Sequence, residues 1–235
     1  MLRTWLRLVL DVVFPAACEG CGTALSPAHG SCLCGPCTAA LGRANGTLCE
    51  RCGAPVAGDA SCAACRRRPP AFGYARAAGW YIGGSVLASA VQGLKYRRRR
   101  PLAEALGAHL ARHYPFTADV VLVPVPLHPA RLRARGFNQA LLLARVLGRR
   151  RGLAVAERAL VRRRATRAQP GLDAAERRRN LGQAFHVRRA DAVAGRRIVL
   201  VDDVLTTGAT ADACAKALLQ AGALSVDVYT VGRAP

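Results

Sequence analysis

The stretch that most restricts how this chain can fold is Arg197-Ile198-Val199-Leu200-Val201-Asp202-Asp203-Val204-Leu205-Thr206-Thr207-Gly208-Ala209-Thr210. Four apolar, mostly β-branched residues run into two adjacent carboxylates. A short loop of hydroxyls and one glycine follows, then an Ala-rich run over residues 211–221. This reads as a buried strand, a tight loop and a helix N-terminus. Such a junction offers unpaired backbone N–H groups and the positive end of a helix dipole to an anion. Within the candidate anion loop formed by Leu205, Thr206, Thr207, Gly208, Ala209 and Thr210, the threonines add hydroxyl donors and Gly208 lets a ligand approach the backbone. Asp202 and Asp203, just ahead of it, are placed to accept hydrogen bonds or hold a metal. Two carboxylates ending a buried strand are costly without a partner, which an ordinary threonine-capped turn would not supply. A phosphate with neighbouring hydroxyls, meaning a sugar phosphate, fits the layout.

The second constraint is cysteine spacing. Nine of the ten cysteines lie between Cys18 and Cys65, and only Cys214 lies outside. Four Cys-x-x-Cys pairs occur: Cys18/Cys21, Cys34/Cys37, Cys49/Cys52 and Cys62/Cys65. Each pair can set two thiolates on one side of a knuckle, and two pairs complete a tetrahedral zinc site with no open position, hence a structural one. Eight ligands imply two zinc ions. Sequential and crossed pairings both satisfy the spacing, disulfides are the alternative, and Cys32 is a spare thiol that could replace Cys34. Ahead of the cysteines, residues 2–13 read as an amphipathic helix. Asp11 interrupts the apolar run and its length is too short to span a membrane, so no export and a cytoplasmic location are expected. In that compartment cysteine clusters bind metal more often than they form disulfides.

Along the rest of the chain, residues 66–70 read as a linker, 74–82 as a strand, 85–94 as a helix and 101–114 as a second helix opened by Pro101. His109 and His113 stand at i and i+4 there, and without an acid at the right offset they are expected to be exposed. Residues 120–125 form a short, continuous apolar strand ending in Pro124, Pro126, Leu127, His128 and Pro129. A helix over 138–148 follows. Loops at strand carboxyl ends are where open α/β sheets bind ligands, so Pro126, Leu127, His128, Arg131 and Arg135 are candidates for a second anion-binding loop. Residues 153–161 read as another strand. An arginine-laden insertion over 162–197, beginning at Arg162, contains a short helix near 174–181. A strand over 225–231 closes the chain, and Cys214 reads as core. The expected organisation is an N-terminal helix over 1–17, a ribbon domain over 18–68 and an α/β domain over 69–235.

The formal charge of +21 is carried by 33 arginines and two lysines, Lys95 and Lys216, and residues 95–197 hold 25 basic side chains against six acidic ones. A face this basic attracts polyanions. The same bias toward arginine and alanine over lysine also suits a GC-rich genome.

Residues 198–210 resemble the ribose-5-phosphate-binding signature of type I phosphoribosyltransferases, which bind phosphoribosyl pyrophosphate (PRPP). The resemblance implies a Rossmann-type parallel sheet flanked by helices. It also implies ribose hydroxyls on Asp202 and Asp203, the 5′-phosphate on the 205–210 loop, and pyrophosphate on Pro126, Leu127, His128, Arg131, Arg135 and Arg162. Magnesium would arrive with PRPP, and residues 162–197 would form a flexible hood. Pro124-x-Pro126-Leu127-His128, followed by Arg131, Arg135, Gly136, Phe137, Asn138 and Gln139, is more specific and resembles the ComF family. The Cys-rich front end, Gly93-Leu94-Lys95-Tyr96 and the later Arg162, Thr166, Gln169, Leu172, Arg178, Asn180 and Phe185 match that family in order. The family resemblance implies a role in natural transformation, with single-stranded DNA and DNA-uptake proteins as partners. It implies a phosphoribosyltransferase whose acceptor the sequence leaves open, or a non-catalytic DNA-binding protein that uses the PRPP site as a regulatory module.

Overall fold

A computed structural model describes residues 17–26, 32–58, 60–117, 119–163 and 184–235. The helices expected over residues 2–13 and near 174–181 lie outside them. The core is a five-stranded, wholly parallel sheet in the order β1-β7-β6-β2-β3. Its strands are β1 (Ala75–Trp80), β2 (Val121–Pro124), β3 (Ala154–Val155), β6 (Arg197–Leu205) and β7 (Ser225–Arg233). The middle strand is β6, and Ile198, Val199, Leu200 and Val201 are fully buried between β7 and β2. That is why its sequence is a continuous apolar run rather than an alternating one.

Successive strand residues face opposite layers. Val199 and Val201 share a core with α3 (Val86–Tyr96), α4 (Leu102–Arg112) and α6 (Gln139–Arg151) through Leu87, Leu94, Leu106, Leu143 and Leu147. Ile198 and Leu200 pack instead with Leu218 and Cys214 of α7 (Ala209–Gln220). Each fully buried leucine or isoleucine contributes about 1.5–3 kcal/mol, so both layers are firmly held. The helix starts follow from local chemistry. Ser85 Oγ accepts from the Ala88 N–H at 3.1 Å to cap α3. Asn138 Oδ1 accepts from the Ala140 N–H at 3.0 Å to cap α6, while its amide donates to the Val125 carbonyl at 3.0 Å. A Cβ at Gly107 would lie 2.5 Å from Val146, so the α4–α6 approach depends on that glycine.

Several expectations are corrected. The strand read over 153–161 is two pieces: β3 joins the main sheet, whereas β4 (Leu160–Arg162) pairs antiparallel with β5 (Phe185–Val187). Between them the chain turns, with the Ala159 N–H donating to the Ala156 carbonyl and Glu157 held by Arg145. The helix after β2 runs to Arg151, three residues beyond the periodic apolar run, and stops at left-handed Gly152. Part of the supposed 66–70 linker belongs to a short helix, α2 (Ala63–Arg67), and Phe72 shortly after it is 1% exposed. His109 is buried, not exposed. Burial first, then the charges of His113 and Arg112, hold its imidazole down to about 4, against a hydrogen bond with the Ala78 backbone. Its Nε2 has no partner among the described residues.

The cysteine-rich segment packs onto this frame rather than standing apart. Leu25, Leu33 and Leu41 of its first half belong to the same core as Leu87 of α3. Its second half hydrogen-bonds to β1, with the Ala75 N–H donating to the Arg51 carbonyl at 2.6 Å and Arg76 Nη1 to the carbonyls of Cys49 and Glu50 at 3.2 and 3.0 Å.

Candidate functional site

The chain runs from β2 through α6 to β3 in one direction, and from β6 through α7 to β7 in the other, with the two helices on opposite faces. The carboxyl ends of the neighbouring strands β2 and β6 therefore flank the topological switch point, where open α/β sheets bind ligands. Both candidate loops emerge there.

After β6, Thr206 and Thr207 are exposed and Gly208 adopts φ 77°, a conformation that favours glycine and turns the chain into α7. The N-cap Gly208 has no side chain to cap α7; the Ala209 N–H donates to Thr207 Oγ1 at 3.4 Å, and the Thr210 and Ala211 N–H groups keep their capacity for an anion among the described residues. Leu205 is different: its side chain is 4% exposed in the core, and its carbonyl accepts from the Ala234 N–H. Phe72 supports the turn from below, 3.6 Å from where a Gly208 Cβ would sit, and the Ala71 N–H donates to Asp212 Oδ1 of α7 at 2.7 Å.

Asp202 and Asp203 fall on opposite faces of β6 by the strand's alternation. Asp203, 4% exposed, pairs with Lys95 at 2.6 Å through Oδ1, while its Oδ2 has no partner among the described residues. Burial first, and then the charge of Asp203, push the Asp202 carboxyl up to about 8; the Asp203 N–H at 2.8 Å and the charges of Lys95 and Arg135 only partly offset this. The shift favours the protonated form of Asp202, which can donate as well as accept and so adds to the acceptor role expected from the sequence.

The loop after β2 is more ordered than a simple loop. His128 Nδ1 accepts from the Ala130 N–H at 3.2 Å and caps α5 (Pro129–Arg135), which carries Arg131 and Arg135. His128 thus has a structural task. Arg135 donates to Gln139 Oε1 at 2.6 Å and its charge reaches Asp202, while Arg131 is exposed and its charge is felt by half-buried Arg162 on β4. Pro126 and Leu127 line the loop's outer side.

Two residues at the junction were missed by the site reading. Lys95 stood in the quoted family pattern, and being one of two lysines among 33 arginines was its signal. Arg233 gave none: at the end of β7 its guanidinium donates to the carbonyls of Leu205 at 3.1 Å, Thr206 at 2.7 Å and Cys52 at 3.3 Å, and to that of Ala234.

The cysteines assemble in the sequential pairing. Cys18, Cys21, Cys34 and Cys37 form one group and Cys49, Cys52, Cys62 and Cys65 the other, with ligand atoms within 4.8 Å of one another in each. Zn–S bonds of about 2.3 Å to tetrahedral corners would set sulfurs about 3.8 Å apart. The Cys18–Cys34, Cys21–Cys34 and Cys52–Cys62 sulfurs lie 3.6, 3.8 and 3.7 Å apart, and all the described cysteines are free thiols. Backbone N–H groups donate to Sγ of Cys18 and Cys49 at 3.3 Å, as at zinc knuckles. Burial alone would raise these two thiols, but the backbone donors outweigh it and hold both at about 6, favouring the thiolate that zinc requires. Cys32 is buried outside both groups, as is Cys214. Among the described residues no helix is long and apolar enough to cross a membrane.

Comparison with known proteins agrees with this layout. Residues 9–66 match the double zinc ribbon domain family. DNA utilization protein YhgH of Escherichia coli strain K12 is 34% identical over 227 residues, covering 93% of this chain and 97% of the relative. Competence protein F of Haemophilus influenzae is 32% identical over 79% of this chain and 84% of its own length, and competence protein ComFC of Bacillus subtilis is 28% identical over 86% and 84%. Among solved structures, a glutamine PRPP amidotransferase from B. subtilis superposes with a TM-score of 0.42 at 21% identity, over 59% of this chain and 30% of that one. So loose a superposition leaves the fold to be read from the chain's own strand order. With one relative 34% identical across nearly its whole length, competence protein F 32% identical over 84% of its own, and two assembled four-cysteine sites of a double zinc ribbon, the chain belongs to the ComF family.

Proposed function

We propose that this protein binds PRPP with magnesium at the β6–α7 junction and acts in DNA uptake and use, in line with relatives named for competence and DNA utilization. The observation that carries the ligand reading is a carboxyl pair, half-buried Asp202 and buried Asp203 with an oxygen unpartnered among the described residues, set immediately before a glycine-opened helix N-terminus at a topological switch point. A ribose offers hydroxyl donors to Asp203 Oδ2 and a hydroxyl oxygen to protonated Asp202. A 5′-phosphate suits the N–H groups and hydroxyls of Thr206, Thr207, Gly208, Ala209 and Thr210. Arg131, Arg135 and Arg162, with the backbone of Pro126, Leu127 and His128, provide the positive side for pyrophosphate. Magnesium, arriving with the diphosphate, would neutralise phosphate charge. The reaction this supports is displacement of pyrophosphate from the anomeric carbon by an acceptor. The arginines would stabilise charge on the leaving group; the hood expected over residues 162–197 lies for the most part outside the described residues. The arginine concentration over residues 95–197 favours one other reading, a non-catalytic protein that binds single-stranded DNA and uses PRPP as a regulatory ligand.

Titrating magnesium-PRPP into wild-type and Asp202→Asn/Asp203→Asn protein tests the assignment. Affinity is expected to fall at least tenfold, and equal binding by both would sink it. The single Asp202→Asn variant provides a check that the fold survives. The Asp202 pKa is raised from its ordinary 3.8 to about 8. Between those values the unfolded chain releases a proton that the folded chain retains, so the native state loses stability as pH rises through that window. Asparagine removes that cost. The ligand-free variant should melt several degrees above wild type at pH 8, and the gap should close toward pH 4.

A further inference from the structure

The run Arg97-Arg98-Arg99-Arg100 joins α3 to α4 and lies between the first zinc ribbon and the carboxyl pair. Just ahead of it, Lys95 in the last turn of α3 meets Asp203 at 2.6 Å. Two residues later the chain is tied to the ribbon. Arg97 donates through Nε to Glu19 Oε1 and also pairs with it through Nη2, while Arg99 Nε lies 3.6 Å from Glu19 Oε2. Glu19 sits between the zinc ligands Cys18 and Cys21, and its N–H donates to the Cys32 carbonyl at 2.9 Å, so the knuckle fixes its backbone. Its side chain is 7% exposed, and a carboxylate that far out of water is stable only with charged partners. Arg97 and Arg99 are those partners. Gly93 of α3 makes room for the carboxylate, since a Cβ there would fall 2.8 Å from Glu19 Cδ.

The same run reaches the other way, to α5. Arg98 Nη2 donates to the Ala134 carbonyl at 2.6 Å, and Arg100 Nη2 to the Gly136 carbonyl at 3.0 Å. Both acceptors lie at the carboxyl end of α5, where carbonyls lack intrahelical partners and favour a cation. The Arg135 guanidinium in turn lies over the Tyr96 ring at 5.7 Å. These links matter because α5 buries none of its own residues and so has no apolar anchor. Arg98 is also constrained in its backbone, with φ 54°, a left-handed conformation uncommon for a residue with a Cβ. Such a conformation persists where the surroundings over-determine it.

We propose that Glu19 is a positioning residue for the PRPP site. Fixed by the first ribbon, it anchors Arg97 and Arg99. The anchored segment keeps Lys95 on Asp203, and holds α5 with Arg131 and Arg135 at the carboxyl end of β2. Glu19 touches no ligand and acts through the arginines, which makes the first ribbon a working part of the ligand site. This role rests on the PRPP reading of the proposed function, whereas the connection from ribbon to α5 is measurable without ligand.

The test uses full-length, zinc-loaded protein titrated with magnesium-PRPP. Glu19→Gln keeps the side chain's shape and removes its charge; Arg97→Gln breaks the same pair from its exposed side, where folding is not at stake. Each should bind about tenfold more weakly, within the range that residues remote from a ligand exert through packed networks. The double variant should bind no more weakly than either single one, because both remove one interaction. Arg97→Lys, which restores the charge, should recover most of the affinity. Glu104→Gln is the control, an exposed acid paired with Arg149 and Arg150 at 2.6 and 2.8 Å, and should bind like wild type. All should retain two zinc ions. In ligand-free Glu19→Gln the amides of Arg99, Leu132 and Gly136, which donate to the carbonyls of Gly93, His128 and Leu132, should exchange several times faster. Those of β6 over 198–201 should not change, as they would under general destabilisation. Undiminished PRPP affinity in Glu19→Gln with zinc retained, additive losses in the double variant, or faster exchange spread evenly into β6 would each overturn the proposal. Failure of wild type to bind magnesium-PRPP would overturn the PRPP assignment and this role with it, whereas unchanged exchange in α5 would overturn the positioning role alone.

Discussion

Cys49→Ser protein is expected to carry one zinc per chain in place of two and to lose the fold of its second ribbon. Cys49 is fully buried, and its sulfur accepts the Cys62 N–H at the centre of the second four-cysteine group. A structural zinc site contributes roughly 10–16 kcal/mol of folding free energy, as much as the whole net stability of a typical domain at about 5–15 kcal/mol. A ribbon this small has no core of its own to substitute for the metal. The damage should spread, because the Cys49 carbonyl accepts from Arg76 of β1 and the Cys52 carbonyl from Arg233 of β7. A melting transition at least about 10 °C lower, or one split into two steps, should accompany the lost zinc. Cys32→Ser is the contrast: Cys32 belongs to neither group, and two zinc ions should remain. Metal analysis finding two zinc in the Cys49→Ser protein would contradict the assignment of that residue as a ligand.

Arg233→Ala should weaken PRPP binding at least tenfold while leaving both zinc ions in place. One guanidinium holds the carbonyls of Leu205 and Thr206, which begin the phosphate loop, and that of Cys52 in the second ribbon. Hydrogen bonds from a charged donor contribute about 1.5–3 kcal/mol each when buried, and partial exposure of Arg233 lowers the net loss here to about 2 kcal/mol. The loop's N–H groups serve an anion only if the backbone presenting them is fixed, so the cost should fall mainly on affinity. Arg233→Lys keeps the charge but not the planar fork, and should recover less than half of the binding free energy. Undiminished PRPP affinity in Arg233→Ala, with zinc retained, would show that the strap does not position the loop.

The parts of this protein that were legible from its sequence are those whose signal is local. The apolar run into Asp202 and Asp203, the turn at Gly208 and the Ala-rich helix needed nothing beyond one short continuous stretch. The paired cysteines were equally plain, although only the assembled thiols decided between sequential and crossed pairing. What escaped depends on contacts between distant segments. His109 looked exposed because its own helix supplies no partner, yet the packing of α4 buries it. Residues 153–161 carry continuous strand propensity, but β3 and β4 pair with different partners and the chain must turn between them. Lys95 meets Asp203 from a helix far earlier in the chain, and Arg233 reaches Cys52 across 181 residues of sequence. The proline-rich segment after β2 concealed α5 because its helix start is made by His128, an uncommon cap.

The central claim is that the β6–α7 junction holds the phosphate end of PRPP, and amide hydrogen exchange across residues 205–211 tests it most directly. At a ligand concentration about 100 times the dissociation constant, bound PRPP should stabilise the closed loop by about 2.7 kcal/mol. Exchange at Thr206, Thr207, Gly208, Ala209 and Thr210 should then slow by up to about a hundredfold, while the buried β6 amides over 198–201 stay unchanged. Exchange at these five amides that is indifferent to saturating magnesium-PRPP, or protection confined to other segments, would contradict it.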